Sequence, residues 1–371
     1  MRSRRMAIYL PGLDGGGAER LQIDLAGYFQ QQGVDVTLLL DRADGPLMSI
    51  VPPGIQIVSL GSRQILKVLP RLIGYLRRSK PDFLLSHLGQ NNIVALWAKR
   101  LAQIRFTLVV TLHNTLSAEA QRGMKYRLLP LLYRISIQKA DAVVMVSEGV
   151  RDDFAAVVSC QNRHPAVIYN GVVTPDFDLR ASMPLEHPWF REELPVFVAA
   201  GRLVEQKGFD TLLRAFAELP LRHEARLIIL GEGPLRPLLE KLAQELGVSE
   251  RVRLPGFQSN PLPFMVRATA VVLSSIYEGL GNVLAEALAC GTPVISTNCP
   301  HGPAEVLGHG QYGTLVPVGD VKALARAMQD TLERPRFSRE FLQARGREFT
   351  VSRCGEKYLA LLEELECRSA A

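Results

Sequence analysis

Short apolar runs alternate with longer amphipathic stretches along the chain. The runs Ala7–Leu10 and Val34–Leu40 predict buried strands, and Ala18–Gln31 between them has the apolar spacing of a helix. Two buried strands joined by a helix predict a parallel sheet. The same order begins again at the strand Val196–Ala200, which is followed by a glycine loop and the helix Phe209–Leu219. The pattern therefore predicts an α/β fold in which one topology is used twice.

The remaining pattern adds elements to both halves of the chain. Further strands are predicted at 83–86, 107–112, 141–147, 226–230, 252–257, 270–273 and 294–296. Further helices are predicted at 65–78, 122–140, 320–335 and 338–371. Residues 172–195 are rich in Pro, Asp and Glu and predict a linker. Because 371 residues exceed one ordinary domain, we place two domains at residues 1–188 and 189–352.

Positive charge is concentrated in the first half of the chain. Residues 1–190 carry 22 Lys and Arg against 15 Asp and Glu, whereas the remainder carries 21 against 22. This excess predicts an anionic acceptor or an anionic membrane surface as a partner. The basic residues are not interleaved with aromatic residues and match no nucleic-acid motif, so we expect no nucleic-acid partner.

The predicted helix Arg122–Ala140 leaves two interpretations open. It carries Lys125, Arg127, Arg134 and Lys139 beside a leucine-rich face. One interpretation is a core helix with a solvated basic face. The other is an interfacial helix that brings the protein to a lipid-linked acceptor at a membrane.

Three features of the sequence bear on the cellular location of the protein. No run of 18 apolar residues is present, so the sequence predicts no membrane-spanning helix. The apolar run Met6–Leu10 after the basic start is too short for a secretory signal. The five cysteines form no CxxC pair. We therefore expect a cytoplasmic protein with reduced thiols.

Two glutamates flank a glycine turn in the most informative stretch. The strand Ala270–Leu273 leads into a turn that contains Gly279 and Gly281. Glycines let a backbone approach a ligand closely, and the N–H groups at a helix start attract phosphate. Glu278 precedes the following helix and Glu286 lies in its second turn, so Glu278 is a candidate acceptor for sugar hydroxyls. Two solvated surface acids are the alternative interpretation.

The stretch from Tyr277 to Ala287 resembles the EGxxxVxxEA motif of the retaining glycosyltransferases of family GT4, which have the GT-B fold. Glu278 and Glu286 take the positions of the family's E-x7-E pair, and the following Gly291–Ile295 also matches. The resemblance implies that Glu278 contacts the donor sugar and Glu286 the nucleotide ribose. It also implies that turn amides hold the diphosphate and the sugar. The donor-binding residues implied here are Gly279, Leu280, Gly281, Asn282, Val283 and Glu286.

A second motif lies at the start of the second half. Arg202 and Lys207 match the family's GR(L)xxxKG pattern. Two fixed cations at a helix start suit a diphosphate leaving group, whose negative charge grows as the glycosidic bond breaks. Taken without the resemblance, the pair could also be solvated.

Two further motifs lie in the first half. His113 follows a predicted strand at the position of the family's T-x-H histidine, which lies beside the donor sugar. The loop Gly15–Arg20 resembles the loop that faces the donor phosphates, which implies a role for Gly16 and Gly17. Without the resemblance, the loop is a tight turn and the histidine a structural one.

Asp176-Phe177-Asp178 is a D-x-D triplet, a pattern that binds a divalent metal in the other glycosyltransferase fold. Here the triplet lies in a predicted linker rather than after a buried strand. The rest of the chain resembles the metal-independent fold. We therefore assign the triplet no role, and expect no metal and no cofactor beyond a nucleotide-sugar substrate.

The resemblance covers nearly the whole chain and implies two Rossmann-like domains that face each other across a cleft. The last helix, residues 353–371, is expected to cross back to the first domain. The implied activity is retaining, metal-independent transfer of a hexosyl or N-acetylhexosaminyl group. The implied donor is a nucleotide-diphosphate sugar, expected to be UDP-linked, and the acceptor a glycan or lipid-linked glycan. On this interpretation Arg202, Lys207, Glu278 and His113 are catalytic.

The family and the basic first half lead us to expect a role in bacterial cell-envelope polysaccharide or lipopolysaccharide synthesis, at the inner face of the plasma membrane. Two alternatives share the fold. A UDP-sugar 2-epimerase would need no acceptor, but such enzymes lack this E-x7-E context. A non-catalytic nucleotide-sugar-binding module is disfavoured because every matched charged position is filled.

Overall fold

Two parallel β-sheets organise the chain in the computed structural model, which describes residues 4–62, 64–121, 126–158, 164–192, 194–220, 224–334 and 336–370. The chain divides into two units. The first unit comprises Met1–Gly171 and Thr350–Ala371, and the second comprises Val172–Phe349.

Strands and helices alternate in both units. The strands are β1 (Arg5–Leu10), β2 (Asp35–Leu40), β3 (Gln56–Ser59), β4 (Phe83–His87), β5 (Thr107–Leu112), β6 (Ala142–Met145), β7 (His164–Val167), β8 (Val196–Ala200), β9 (Arg226–Leu230), β10 (Val252–Gly256), β11 (Ala270–Leu273), β12 (Val294–Thr297) and β13 (Thr314–Val316). The helices are α1 (Gly17–Gln31), α2 (Ile65–Ser79), α3 (Gly89–Ala102), α4 (Leu116–Gln121), α5 (Leu129–Ser136), α6 (Glu148–Val158), α7 (Phe177–Ser182), α8 (Phe209–Ala217), α9 (Arg236–Glu245), α10 (Leu262–Met265), α11 (Asn282–Cys290), α12 (Pro303–Val306), α13 (Val321–Glu333), α14 (Arg339–Gly346) and α15 (Val351–Ala370).

The two sheets have the same strand order, except that the first sheet has one more strand at its end. The first sheet has the order β3-β2-β1-β4-β5-β6-β7, and the second has the order β10-β9-β8-β11-β12-β13. Neighbouring strands are parallel throughout these orders. Each order reverses beside the first strand of its unit, between β1 and β4 and between β8 and β11. Ligands of open α/β sheets bind outside the carboxyl ends of the strands at such a switch point. The predicted fold of two Rossmann-like α/β halves is confirmed.

Both faces of the first sheet are covered. Met6, Ile8 and Leu10 of β1 share one apolar core with residues of α1 and α15. The alternate residues Ala7 and Tyr9 are also fully buried. A parallel strand that is buried on both faces has no position for a solvated side chain, which explains why the strands read as continuous apolar runs.

The last helix packs onto the first helix of the same unit. Tyr358 of α15 makes an edge-to-face contact with Phe29 of α1, with ring centroids 6.4 Å apart. Its hydroxyl lies 3.1 Å from the hydroxyl of Thr111. Gly355 lies where a Cβ would come within 2.2 Å of the Tyr28 ring. The close approach of α1 and α15 therefore requires glycine at position 355. No helix in the described ranges is both long and apolar enough to cross a membrane.

The division between the units lies after Gly171, whereas the predicted domain boundary lies between residues 188 and 189. Residues 172–195, predicted as a linker, contain α7 and a 3-10 turn at Pro188–Phe190. Helix α7 packs against α10 within the second unit. Phe177 and Trp189 are buried. These two apolar side chains give the segment a core contact that its acidic, proline-rich composition does not indicate.

Residues 338–371, predicted to be helical, form two helices rather than one. The structure has α14 and α15 with a break between them. The backbone carbonyl of Phe349 accepts hydrogen bonds from the N–H groups of Val172 and Val173. The hydroxyl of Thr350 then accepts from the N–H of Arg353 and caps the start of α15. Thr350 is a capping signal that was present in the sequence, but the partner segment at Val172 is remote in the chain.

The predicted helix Arg122–Ala140 is only partly described, because residues 122–125, including Lys125, lie outside the described residues. Helix α5 spans Leu129–Ser136, and a 3-10 turn continues it at Ile137–Lys139. Pro130 occupies the first turn of α5, where the missing N–H of proline costs no hydrogen bond.

Replacing Gly355 by alanine should lower the free energy of unfolding by about 1–3 kcal/mol, because the new methyl group overlaps the Tyr28 ring. Gly74 in α2 is a matched control, since the nearest atom to its added Cβ lies 3.5 Å away. Gly74→Ala should raise stability by up to about 1 kcal/mol. Urea unfolding followed by circular dichroism measures both. A Gly355→Ala protein as stable as the wild type would contradict the packing described for α15.

Candidate active site

Two loops meet at the switch point of the second sheet. One follows β8 and carries Arg202 and Lys207, and the other follows β11 and carries Glu278. Since β8 and β11 are hydrogen-bonded neighbours, their carboxyl ends bring these loops side by side. The sequence motifs at 202–207 and 278–286 are therefore adjacent in space although they are far apart in the chain.

Lys207 and Glu278 form an ion pair across these loops. Lys207 Nζ lies 2.5 Å from Glu278 Oε1, and the two side chains are only 17% and 9% exposed. The hydroxyl of Ser275 donates to the same Oε1 at 2.6 Å. Among the residues that the structure describes, none donates a hydrogen bond to Glu278 Oε2. One carboxylate oxygen thus holds the side chain in place, and the other keeps its capacity to accept from a ligand.

Backbone contacts fix the two loops against each other. The N–H of Ile276 donates to the carbonyl of Gln206 at 2.8 Å, and the Ser274 hydroxyl donates to the carbonyl of Lys207 at 2.8 Å. Gly208 has φ of 58°, and a Cβ there would lie 2.3 Å from the Ser274 carbonyl oxygen. Glycine at 208 therefore allows both the left-handed backbone and the close approach of the loops.

The glycine turn after Glu278 delivers the chain to the start of α11. Gly281, with φ of 86°, is the N-cap residue, so no side chain caps the helix. Gly302 packs closely against the turn, because a Cβ at position 302 would come within 2.4 Å of the Leu280 Cα. Gly279, Leu280 and Gly281 are buried, while Asn282, Val283 and Glu286 are partly exposed. An uncapped helix start with glycine before it has the geometry that binds phosphate oxygens.

Arg202 differs from Lys207 in its surroundings. Its side chain is exposed, and within the described ranges it has neither an ion pair nor a hydrogen-bonding side-chain partner. The stem of Lys207, in contrast, lies along Gly201, whose added Cβ would meet Lys207 Cε at 3.1 Å. The loop after β8 thus offers one positioned cation and one solvent-exposed cation.

In the first unit, His113 follows β5 and lies against a second histidine. Its Nε2 is 3.2 Å from Nδ1 of His87, the last residue of β4. Burial lowers the pKa of His113 to about 4. Burial and then the neighbouring His113 lower the pKa of His87 well below its usual value. Both imidazoles are therefore neutral at pH 7 and able to donate one proton and accept another.

Gly16 and Gly17 lie at the start of α1 in the same unit. Gly16 is the N-cap residue and has extended backbone angles, and no side chain caps the helix. A Cβ on Gly16 would lie 2.1 Å from the Glu19 carboxylate. A side chain at position 16 would therefore have to displace the Glu19 carboxylate, and this helix start, like that of α11, has no side-chain cap on its N–H groups.

Two residues of these clusters were not singled out in the sequence. Ser275 holds Glu278, and His87 contacts His113. The sequence could have indicated His87, because His87 lies at the end of a buried strand, as His113 does. Ser275 gave no signal, since a serine three residues before a glutamate has no special meaning until the turn geometry is known.

The D-x-D triplet has local partners. The Thr174 hydroxyl donates to Asp176 Oδ1 at 2.5 Å, and Asp178 lies 3.8 Å from Arg347. No group of three or more His, Cys, Asp and Glu side chains in the described ranges is arranged to hold a metal ion.

Solved structures share this architecture. The structure of Anabaena HepE in complex with UDP-glucose matches with a TM-score of 0.83 at 22% identity, over 97% of this chain and 99% of that one. The apo form of the lipopolysaccharide outer core galactosyltransferase WaaB matches with a TM-score of 0.71 at 20% identity, over 95% and 98% of the two chains. The fold is therefore that of the GT-B glycosyltransferases.

Sequence comparison gives the family. The model of "Glycosyltransferase Family 4" matches residues 15–175, and that of "Glycosyl transferases group 1" matches residues 187–348. The lipopolysaccharide core biosynthesis glycosyltransferase LpsE of Rhizobium meliloti is 30% identical over 356 residues, which cover 94% of this chain and 96% of that protein. The chain belongs to glycosyltransferase family 4, and the predicted family is confirmed.

A further relative carries a more detailed name. The N-acetylgalactosamine-N,N'-diacetylbacillosaminyl-diphospho-undecaprenol 4-alpha-N-acetylgalactosaminyltransferase of Campylobacter jejuni is 27% identical over 341 residues, covering 89% of this chain and 90% of that protein. That relative acts on an acceptor linked to a polyprenyl diphosphate, as its name states.

The lowered pKa of His113 makes a prediction for stability. Between about pH 6.5 and pH 4 the unfolded chain binds the proton that folded His113 does not, so this contribution to stability is complete above pH 6.5 and is lost as the pH falls toward 4. His113→Asn should therefore lose about 2 kcal/mol less unfolding free energy than the wild type between pH 7 and pH 5. Urea unfolding at the two pH values measures the difference, with His113→Gln as a second neutral replacement. Equal losses in all three proteins would show that His113 titrates normally.

Proposed function

We propose that this protein is a retaining glycosyltransferase that moves a hexosyl or N-acetylhexosaminyl group from a UDP-sugar to a glycan or lipid-linked glycan acceptor. The observation that carries the proposal is the arrangement at the second switch point. There a cation, an oriented carboxylate and an uncapped helix start lie together. These are the groups that a sugar joined to a diphosphate requires.

Lys207 is assigned to the leaving group. An ammonium has three hydrogen-bond donors, and one of them is used on Glu278 Oε1. The remaining donors are available for phosphate oxygens, whose negative charge increases as the glycosidic bond breaks. Arg202 supplies a second cation for the same diphosphate. We assign this charge stabilisation to the two side chains and to the α11 start, without a metal ion.

Glu278 is assigned to the donor sugar and Glu286 to the nucleotide ribose. Glu278 Oε2 can accept from a sugar hydroxyl while Oε1 stays bound to Lys207 and Ser275. Because the carboxylate is already held by these two partners, it does not have to lose rotational freedom when the sugar binds. From the first unit, His113 is assigned to the sugar, and Gly16 and Gly17 to the phosphates.

The reaction that these assignments serve is attack of the acceptor hydroxyl on the same face of the sugar that the diphosphate leaves. The acceptor oxygen forms the new bond to the anomeric carbon as the bond to the phosphate oxygen breaks. The departing phosphate oxygen takes the acceptor proton. No carboxylate is assigned as a covalent nucleophile, and the nucleoside diphosphate leaves with the bonding electron pair.

The relatives support an envelope role. LpsE is named for lipopolysaccharide core biosynthesis, and the Campylobacter relative for an undecaprenyl-linked acceptor. The structure of HepE holds UDP-glucose. We propose the same classes of donor and acceptor for this chain, with the protein in the cytoplasm at the inner face of the plasma membrane.

Lys207→Ala should lower kcat by about 10²-fold or more, because it removes charge stabilisation where negative charge grows. Glu286→Ala should instead raise the donor KM and change kcat less, since a ribose contact is made equally in ground and transition states. Release of UDP from a panel of UDP-sugars, with undecaprenyl-linked and lipopolysaccharide-core acceptors, measures both. Lys241→Ala is the matched control, because Lys241 is exposed and pairs with Glu245 on the surface of α9.

Three outcomes of this assay would contradict the proposal. Turnover of GDP-sugars but not UDP-sugars would refute the donor class. Conversion of a UDP-sugar to its 2-epimer without acceptor, seen by NMR, would refute transfer. Loss of turnover in EDTA, restored by a divalent ion, would refute the metal-independent assignment.

A membrane contact is proposed for an apolar stripe on α5. We define the α5 stripe as the N-cap residue Leu128 together with Leu131 and Ile135 of the helix, whose exposed fractions are 59%, 54% and 58%. Their spacing places them on one face of the helix. Exposed Arg127 and Arg134 flank the stripe. Apolar side chains beside basic ones fit the boundary of an anionic bilayer, where each buried methylene and each cation adds to binding.

Leu131→Ser with Ile135→Ser should weaken binding to vesicles of phosphatidylglycerol and phosphatidylcholine by about tenfold or more, as expected for two lost aliphatic side chains. Cosedimentation at low and physiological salt measures binding. Leu238→Ser on α9 is the matched control, because Leu238 is 62% exposed but lies in the second unit. Undiminished binding by the double variant would rule out the α5 stripe as the contact. Equal binding of the wild type to neutral vesicles would rule out a contribution from the flanking cations.

A further inference from the structure

His87 lies at the switch point of the first sheet, where it ends β4 beside β1. Its side chain is fully buried. Across the strand pair, His87 lies opposite Thr111 of β5, and His113 follows two residues later on the same face. The sheet register therefore brings the two imidazoles together, with His87 Nδ1 3.2 Å from His113 Nε2.

The two nitrogens of His113 have different surroundings. Nε2 is occupied by His87, whereas no described residue forms a hydrogen bond with Nδ1. His113 as a residue is partly exposed, whereas His87 is buried. Nδ1 of His113 is therefore the nitrogen that remains for a ligand.

The buried side of His87 decides which ring donates the shared proton. His87 Nε2 is buried and has no hydrogen-bond partner in the described part of the chain. If His113 donated to His87, the proton of neutral His87 would have to sit on Nε2 and would leave a buried N–H without an acceptor. If His87 donates from Nδ1, only an acceptor nitrogen is left unused. Buried N–H groups without an acceptor are rarer than unused acceptors, so the second arrangement is favoured.

We propose that His87 is a positioning residue whose Nδ1–H donates to His113 Nε2 and holds His113 in the Nδ1–H tautomer. In that tautomer His113 presents an N–H donor, which recognises an oxygen acceptor such as a sugar hydroxyl. The opposite tautomer would present a lone pair in its place. The identity of the ligand as the donor sugar rests on the proposed function, whereas the tautomer of His113 does not.

The tautomer can be observed directly in the wild-type protein. Long-range ¹H–¹⁵N correlation spectra of protein labelled at histidine distinguish protonated from unprotonated ring nitrogens, and His113→Gln and His87→Asn assign the signals. We expect both His113 and His87 to be protonated on Nδ1 at pH 7. A His113 ring protonated on Nε2 would overturn the proposal without any activity measurement.

Two variants of His87 separate positioning from packing. His87→Asn keeps an N–H donor on the atom bonded to Cγ, whereas His87→Leu keeps a branched side chain without a donor. His87→Leu should leave His113 as a mixture of tautomers and lower kcat/KM for the donor by about three- to tenfold, the effect of one neutral hydrogen bond. His87→Asn should keep the Nδ1–H tautomer and a kcat/KM within about twofold of the wild type.

The outcomes distinguish this inference from the proposed function. An unchanged His113 tautomer in His87→Leu would refute the positioning role, even if the variant is less stable. Equal losses of kcat/KM in the Asn and Leu variants would reduce His87 to a packing residue. The Nδ1–H tautomer in a wild-type protein that turns over no nucleotide-sugar would refute the proposed function and leave the assignment of His87 standing.

Discussion

The ion pair of Lys207 and Glu278 is the interaction on which the second unit's site depends. It joins the loops that follow two neighbouring strands, and both side chains are largely removed from solvent. Removing one partner of a buried ion pair leaves an uncompensated charge, which costs about 3–5 kcal/mol. The pair is therefore tolerable only because Ser275 adds a hydrogen bond and the loop backbones hold both residues in register. The result is a fixed cation and a fixed carboxylate at the switch point.

The switch point of the first unit also holds two polar side chains together, but neither of them is charged. At its switch point two neutral imidazoles share a hydrogen bond, since burial lowers the pKa of both. In the function that we propose, a charged pair suits a diphosphate whose charge grows during transfer, and a neutral donor suits a sugar hydroxyl. The two units thus have one topology with different side-chain pairs at corresponding places, because one fold can carry different groups at the ends of its strands.

Much of the fold could be predicted from the chain because the apolar pattern is strong where the strands are buried on both faces. Strands such as Val196–Ala200 and Ala270–Leu273 have the predicted bounds. The errors lie where a remote contact decides local structure. The helical region predicted at 338–371 is divided into two helices where Phe349 bonds with Val172 and Val173, and the predicted linker at 172–195 is held in the second unit by Phe177 and Trp189.

By itself, the sequence determined the α/β class, the repeated topology, the family, and the motif residues proposed for the site, because glycine turns, apolar runs and charged motifs are local in the chain. Only the tertiary structure decided which of those residues touch. Lys207 and Glu278 are 71 positions apart, and His87 and His113 are 26 apart. Each pair meets because two strands become neighbours in a sheet. Which strands become neighbours depends on the packing of the whole unit, and no short stretch of sequence specifies it.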